Sequence, residues 1–127
     1  MPVWDDYKAT AKSRGALAME LYVLQSTPID PLRIPDLLPD HLAYQKVLED
    51  KGVLVMAGPL SDESGTLMEG AGHIVYRAES LDAAKAIAEA DPMHKEGVRS
   101  FTIRKWLVNE GSLSFTLSLS SQSVSVG

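Results

Sequence analysis

Hydrophobic positions recur along this chain in two distinct periods. Leu37, His41, Tyr44 and Leu48 fall at helical spacing and form one stripe of a helix predicted near Asp36–Lys51. Pro39 and Asp40 suit its first turn and Gly52 its end. A second helix follows Ser80, a natural cap, with Asp82 in its first turn. Ala83, Ala84, Ile87 and Ala88 give it a narrow apolar face, and Asp91-Pro92 ends it. A shorter helix is predicted over residues 2–14, where Trp4, Tyr7 and Ala11 share a face ahead of Gly15.

Between the helices the period changes. Over Ala16–Gln25, Leu17, Met19, Leu21 and Val23 alternate with Ala18, Tyr22 and Leu24, interrupted by Glu20. Val53–Ala57 is apolar throughout and is followed by Gly58-Pro59, which reads as a strand terminator. His73–Ala78 and Val98–Trp106 complete a set of four strands. Ser26–Pro35, with three prolines, is expected to be a loop, and Gly58–Gly72 a long connection of the kind that often carries function, part of which, such as Thr66–Met68, could extend a hairpin. In the tail, Leu113, Phe115, Leu117 and Leu119 alternate with serine and threonine, the pattern of a half-buried strand, before a frayed serine-rich end over residues 120–127.

The order β-α-β-β-α-β is that of an α+β, ferredoxin-like domain. Its connectivity brings the start of the central helix, the end of the second strand, the start of the third and the end of the second long helix to one edge of the sheet. His41, Gly58, Pro59, His73 and Asp91 therefore converge there. Two helices cover only one sheet face, yet the first three strands are apolar on both. A second copy is the simplest cover, which predicts a homodimer. The whole chain is expected to be one domain, with a helical extension over residues 1–15, a core over 16–107 and a C-terminal extension over 108–127.

Composition narrows the classes. The 127 residues suffice for a core, and the net charge of -5 argues against a nucleic-acid partner. There is no cysteine, so disulfides and zinc–thiolate sites are excluded and a cytoplasmic protein is expected. No apolar run approaches membrane-spanning length, and Met1–Tyr7 lacks the basic and apolar regions of a signal peptide. No phosphate loop, nucleophile elbow or dinucleotide fingerprint is present, and the three histidines lack metal-ligand spacing.

The candidate chemistry is a histidine on an apolar stripe. His41 is suited to move protons near neutral pH, and Asp91 could hold its ring. A buried histidine bonded only for stability would show the same pattern, and Asp before Pro is also a common turn former. Gly58 would let a ligand approach the backbone; Tyr44, Pro59 and His73 complete the expected ligand-binding set. His73 and His94 have a simpler reading as exposed rings.

These residues also carry a resemblance. Asp40-His41-Leu42-Ala43-Tyr44, Gly52 through Leu60, Ser80 through Ala84, and Ala90-Asp91-Pro92-Met93 with Gly97-Val98 resemble the YCII-related (YciI-like) family over roughly Met19 to Leu107. The resemblance implies a dimeric α/β-barrel of ferredoxin-like halves and a histidine–aspartate active site, falling here on His41 and Asp91. No metal is expected, and acid–base chemistry of this kind needs no cofactor. A dehydrochlorinase activity on a hydroxylated chloroaromatic is associated with the family. The function expected is lyase, dehydrochlorinase or isomerase chemistry on a small organic molecule. The alternatives are a non-catalytic ligand-binding or regulatory dimer, and a cofactor-free monooxygenase of a related dimeric-barrel type.

Overall fold

A computed structural model describes all residues, Met1–Gly127. The chain divides into two compact units, one formed by Glu20–Leu107 and the other by Met1–Met19 together with Val108–Gly127.

The larger unit is a four-stranded sheet with helices. Its elements are β1 (Met19–Pro28), a 3-10 turn (Pro31–Arg33), α2 (Ile34–Asp50), β2 (Leu54–Ser61), β3 (Met68–Tyr76), α3 (Leu81–Glu89), α4 (Pro92–Lys95) and β4 (Arg99–Val108). The strand order is β2-β3-β1-β4. β3 runs antiparallel to both neighbours, with Leu24 opposite Ile74 and Gly58 opposite His73. On the other side of β1, the Ile29 and Asp30 N–H groups reach the Val98 carbonyl and Thr27 meets Ser100, so β4 is antiparallel as well. This is the ferredoxin-like arrangement.

The core follows the predicted stripes. Tyr22, Leu24, Ile74 and Tyr76 point from the sheet toward Leu48 of α2 and Ala84 and Ala88 of α3. Both alanines are wholly buried, which lets α3 approach the sheet closely. Ser80 caps α3 by accepting from the Ala83 N–H. α2 begins two residues earlier than expected, with Pro35 in its first turn and Pro39 inside the helix.

Three expectations are corrected. Gly58-Pro59 does not end β2; the strand continues to Ser61 and pairs with β3 down to Met68. β2 is an edge strand, so the missing Pro59 N–H leaves no gap in a central ladder. The long connection is thus a β-hairpin closed by a turn in which Asp62 accepts from Ser64 and Leu67. The tail is the third case. β5 (Phe115–Ser118) pairs with β6 (Ser123–Val126), so the end expected to fray supplies a strand. Leu113, Phe115, Leu117 and Leu119, expected to be buried, with a second copy as the candidate cover, are all more than 60% exposed within the single chain.

The smaller unit also contains α1 (Trp4–Ser13). Asp5 and Asp6 lie in its first turn and Lys12 in its last, matching the helix dipole. Ala11 is buried, and Arg14 lies over the Tyr7 ring. No helix of the structure is long and apolar enough to cross a membrane.

Candidate active site

α2 carries His41 on its inward stripe, and the break between α3 and α4 carries Asp91. The backbone explains why Asp91 stands where it does. It caps α4, one of its oxygens accepting from the Met93 N–H at 3.0 Å, while Pro92 occupies the first helical turn. The other oxygen lies 2.7 Å from His41 Nδ1. Asp91 is 1% exposed and the His41 side chain 16%. A carboxylate accepts and cannot donate, so Nδ1–H is the donor and Nε2 is left free to take a proton. Asp91 is thus a turn residue, a cap and the partner of His41 at once.

His41 lines a cavity of about 520 Å³. Ile34, Leu38 and Leu42 of α2 form one apolar wall; Gly58, Pro59, Gly72 and His73 of the β2–β3 pair form another. Gly72 lets the two strands' backbones lie close there: a Cβ would sit 3.3 Å from the Gly58 carbonyl oxygen, a tight contact. His73 is exposed and faces Gly58 across the ladder. Four of the expected site residues, His41, Gly58, Pro59 and His73, therefore share one cavity, and Asp91 backs it through His41.

Tyr44 does not join them. Its hydroxyl donates to the Ile87 carbonyl at 2.6 Å, and its ring packs against the core. Burial, then the charge of Asp91, push its pKa up, so it stays a neutral donor. The expectation that Tyr44 contacts ligand is corrected: its one polar atom is committed to holding α2 against α3. Tyr76 lies behind, its hydroxyl buried without a hydrogen-bond partner and its pKa raised by burial, by Asp91 and by Tyr44.

His94 departs from its simple reading as an exposed ring. Nδ1–H donates to the Ala88 carbonyl at 2.8 Å, and Nε2 lies 2.8 Å from the Ser26 hydroxyl. Burial is the main influence and lowers its pKa, favouring the neutral ring. Ser26, itself buried, accepts from Arg99 Nε at 2.7 Å and so donates onward to His94. Arg99 Nη2 also donates to the Ser26 carbonyl at 3.0 Å and to the Gly70 carbonyl. Ser26 and Arg99 line the same cavity as His41. Neither was singled out from the sequence. Each is one polar residue in a strand of mixed pattern, and only the pairing of β1 with β4 brings them together. No cluster of three or more histidine, aspartate or glutamate side chains is placed to hold a metal ion.

The YCII-related domain matches residues 22–107. Protein YciI of Escherichia coli is 39% identical over 64 residues, covering 47% of this chain and 65% of that protein, and so just under two thirds of its length. The uncharacterized protein YjpA of Bacillus subtilis is 35% identical over 66 residues, covering 52% of this chain and 71% of that protein. Among solved structures, 5-chloro-2-hydroxyhydroquinone dehydrochlorinase from Burkholderia phenoliruptrix, in complex with 2,5-dihydroxybenzoquinone, superposes with a TM-score of 0.56 at 22% identity. That match covers 68% of this chain and 92% of the other, and shows a shared fold.

Proposed function

The chain belongs to the YCII-related family, and from that premise we propose that His41 and Asp91 form an acid–base pair acting on a small organic molecule. The observation that carries this reading is the 2.7 Å contact between His41 Nδ1 and Asp91, with His41 lining a cavity large enough for a small ring. Asp91 holds the ring in the tautomer whose Nε2 is basic and stabilises the imidazolium that forms. A proton taken from carbon beside a carbonyl leaves an enolate. Returning it to another atom gives an isomerase; expelling a neighbouring leaving group gives a lyase or a dehydrochlorinase. The solved structure that shares the fold holds an enolised dione, which is this class of molecule.

The working form we propose is a cytoplasmic homodimer. Val23, Met56, Val75 and Trp106 line a groove of about 480 Å³ on the four-stranded sheet. Met56 and Trp106 are 53% and 44% exposed, a surface suited to a second copy.

The test is a screen of enolisable and chlorinated small acids for solvent-proton exchange and chloride release, with the wild type and His41→Ala compared. Turnover that is lost in His41→Ala, with an unchanged melting curve, supports the reading. Equal turnover in both removes it, as does binding without turnover across the set, which favours the ligand-binding alternative.

A further inference from the structure

We propose that Arg99 is the anion anchor of the His41 cavity, and that the cavity takes planar organic anions in preference to their neutral counterparts. The inference deepens the proposed function and rests on the cavity being where His41 acts.

The chain as a whole carries a net charge of -5, yet no aspartate or glutamate lines this cavity. Asp91 is withdrawn behind His41, its two oxygens occupied by His41 Nδ1 and the Met93 N–H. The permanent cation of the lining is Arg99. Most of the remaining wall is apolar: Ile34, Leu38, Leu42, Pro59, Met68 and Met93. A fixed cation in an apolar wall attracts a counter-charge more strongly than it would in water.

Arg99 is also held for the task. Nε and Nη2 are committed to the Ser26 hydroxyl, the Ser26 carbonyl and the Gly70 carbonyl. Nη1 makes none of these bonds and remains for a ligand. The Ser26 hydroxyl can accept from Arg99 because it donates to His94 Nε2, and His94 can accept because its Nδ1–H is spent on the Ala88 carbonyl. Four groups thus set the direction of every proton in the chain that ends at the guanidinium. Ser26 and His94 are positioning residues that act through Arg99. An enolate formed by His41 would have its negative oxygen met by a cation already in place.

The test measures binding, not turnover. Benzoate and 2,5-dihydroxybenzoquinone are the anionic probes; benzamide and 2,5-dimethoxybenzoquinone are their neutral counterparts. Titrations with the wild type are expected to favour each anion at least tenfold. Arg99→Gln should weaken anion binding about tenfold or more and abolish the preference while leaving the neutral probes unchanged. Arg99→Lys should retain part of it, because a lysine keeps the charge and loses the fork. His73→Gln and His41→Ala should both keep the preference, which separates this proposal from the catalytic one. Should Arg99→Gln fail to fold, the wild-type comparison and Arg99→Lys still decide. Failure of both anions to bind, equal binding of anion and neutral probe, or a preference lost in His73→Gln and kept in Arg99→Gln would overturn the proposal.

Discussion

His41 and Asp91 stand fifty positions apart in sequence and 2.7 Å apart in space. The carboxylate makes Nδ1 the donor, so Nε2 is the basic nitrogen. Asn in place of Asp91 keeps an oxygen to cap α4 but brings an amide that can donate. With Asp91→Asn, His41 can turn to the opposite tautomer and lose its base. Turnover is expected to fall by about 10²–10⁴-fold with little change in substrate binding. Nitrogen NMR shifts of the His41 ring, measured beside the rates, should show the tautomer change. An unchanged ring spectrum and unchanged rates would count against the pair acting as a unit.

His94 gives the fold a pH dependence with a definite sign. Burial lowers its folded-state pKa below the ordinary 6.5. Below that value the unfolded chain binds a proton that the folded chain resists, so stability rises with pH in this window. The contribution is complete above about pH 6.5 and is lost as pH falls through the folded pKa. Protonated Nε2 could no longer accept from Ser26 and would stand next to the site of Arg99. Urea titrations between pH 5 and 7.5 should show wild type losing stability on acidification more than His94→Gln does. Parallel curves would remove His94 as the cause.

Gly70 links the fold to the Arg99 anchor. Its φ is +103°, and a Cβ there would come within 2.8 Å of the Pro28 Cγ. Its carbonyl is one of the acceptors that hold Arg99. Gly70→Ala must therefore strain the backbone and displace either Pro28 or the carbonyl. A loss of about 1–2 kcal/mol is expected in urea unfolding. Gly65→Ala, at φ +77° but with open space around its Cβ, would strain the backbone alone and leave anion binding as it was.

The legible parts of this fold were those written as repeated pattern. The stripe Leu37–His41–Tyr44–Leu48 did face inward, with Leu48 buried and the other three half-buried. The order of strands and helices was enough to place Asp91 at the same sheet edge as His41. Pro59 misled because a proline that would break a central strand is harmless on an edge, and edge position is a property of the whole sheet. Tyr44 misled because its partner is the Ile87 carbonyl, and main-chain acceptors leave no trace in the side-chain pattern. Arg99 and Ser26 were missed for a related reason: their importance lies in a pairing across β1 and β4. The tail misled because alternation records two unlike faces, not whether either is covered within one chain. Phe115 and Val126 face each other, as do Leu117 and Val124, so the hairpin has an apolar side that remains exposed.

The groove on the four-stranded sheet supplies the last prediction. Val75 is buried at 4% exposure, but Met56 and Trp106 flank the same groove well exposed. Leaving both in water sacrifices apolar burial worth about 25 cal/mol per Å². If a second copy covers the groove, a carboxylate introduced there must be desolvated against apolar surface or keep the copies apart. Trp106→Glu is therefore expected to shift a dimer toward monomer in light scattering at micromolar concentration. Leu42→Glu serves as the control, because Leu42 is exposed on α2 and does not line this groove. It should leave the assembly unchanged. A wild type that is monomeric throughout that range would remove the dimer, and a Trp106→Glu variant that assembles as wild type does would move the interface to another surface.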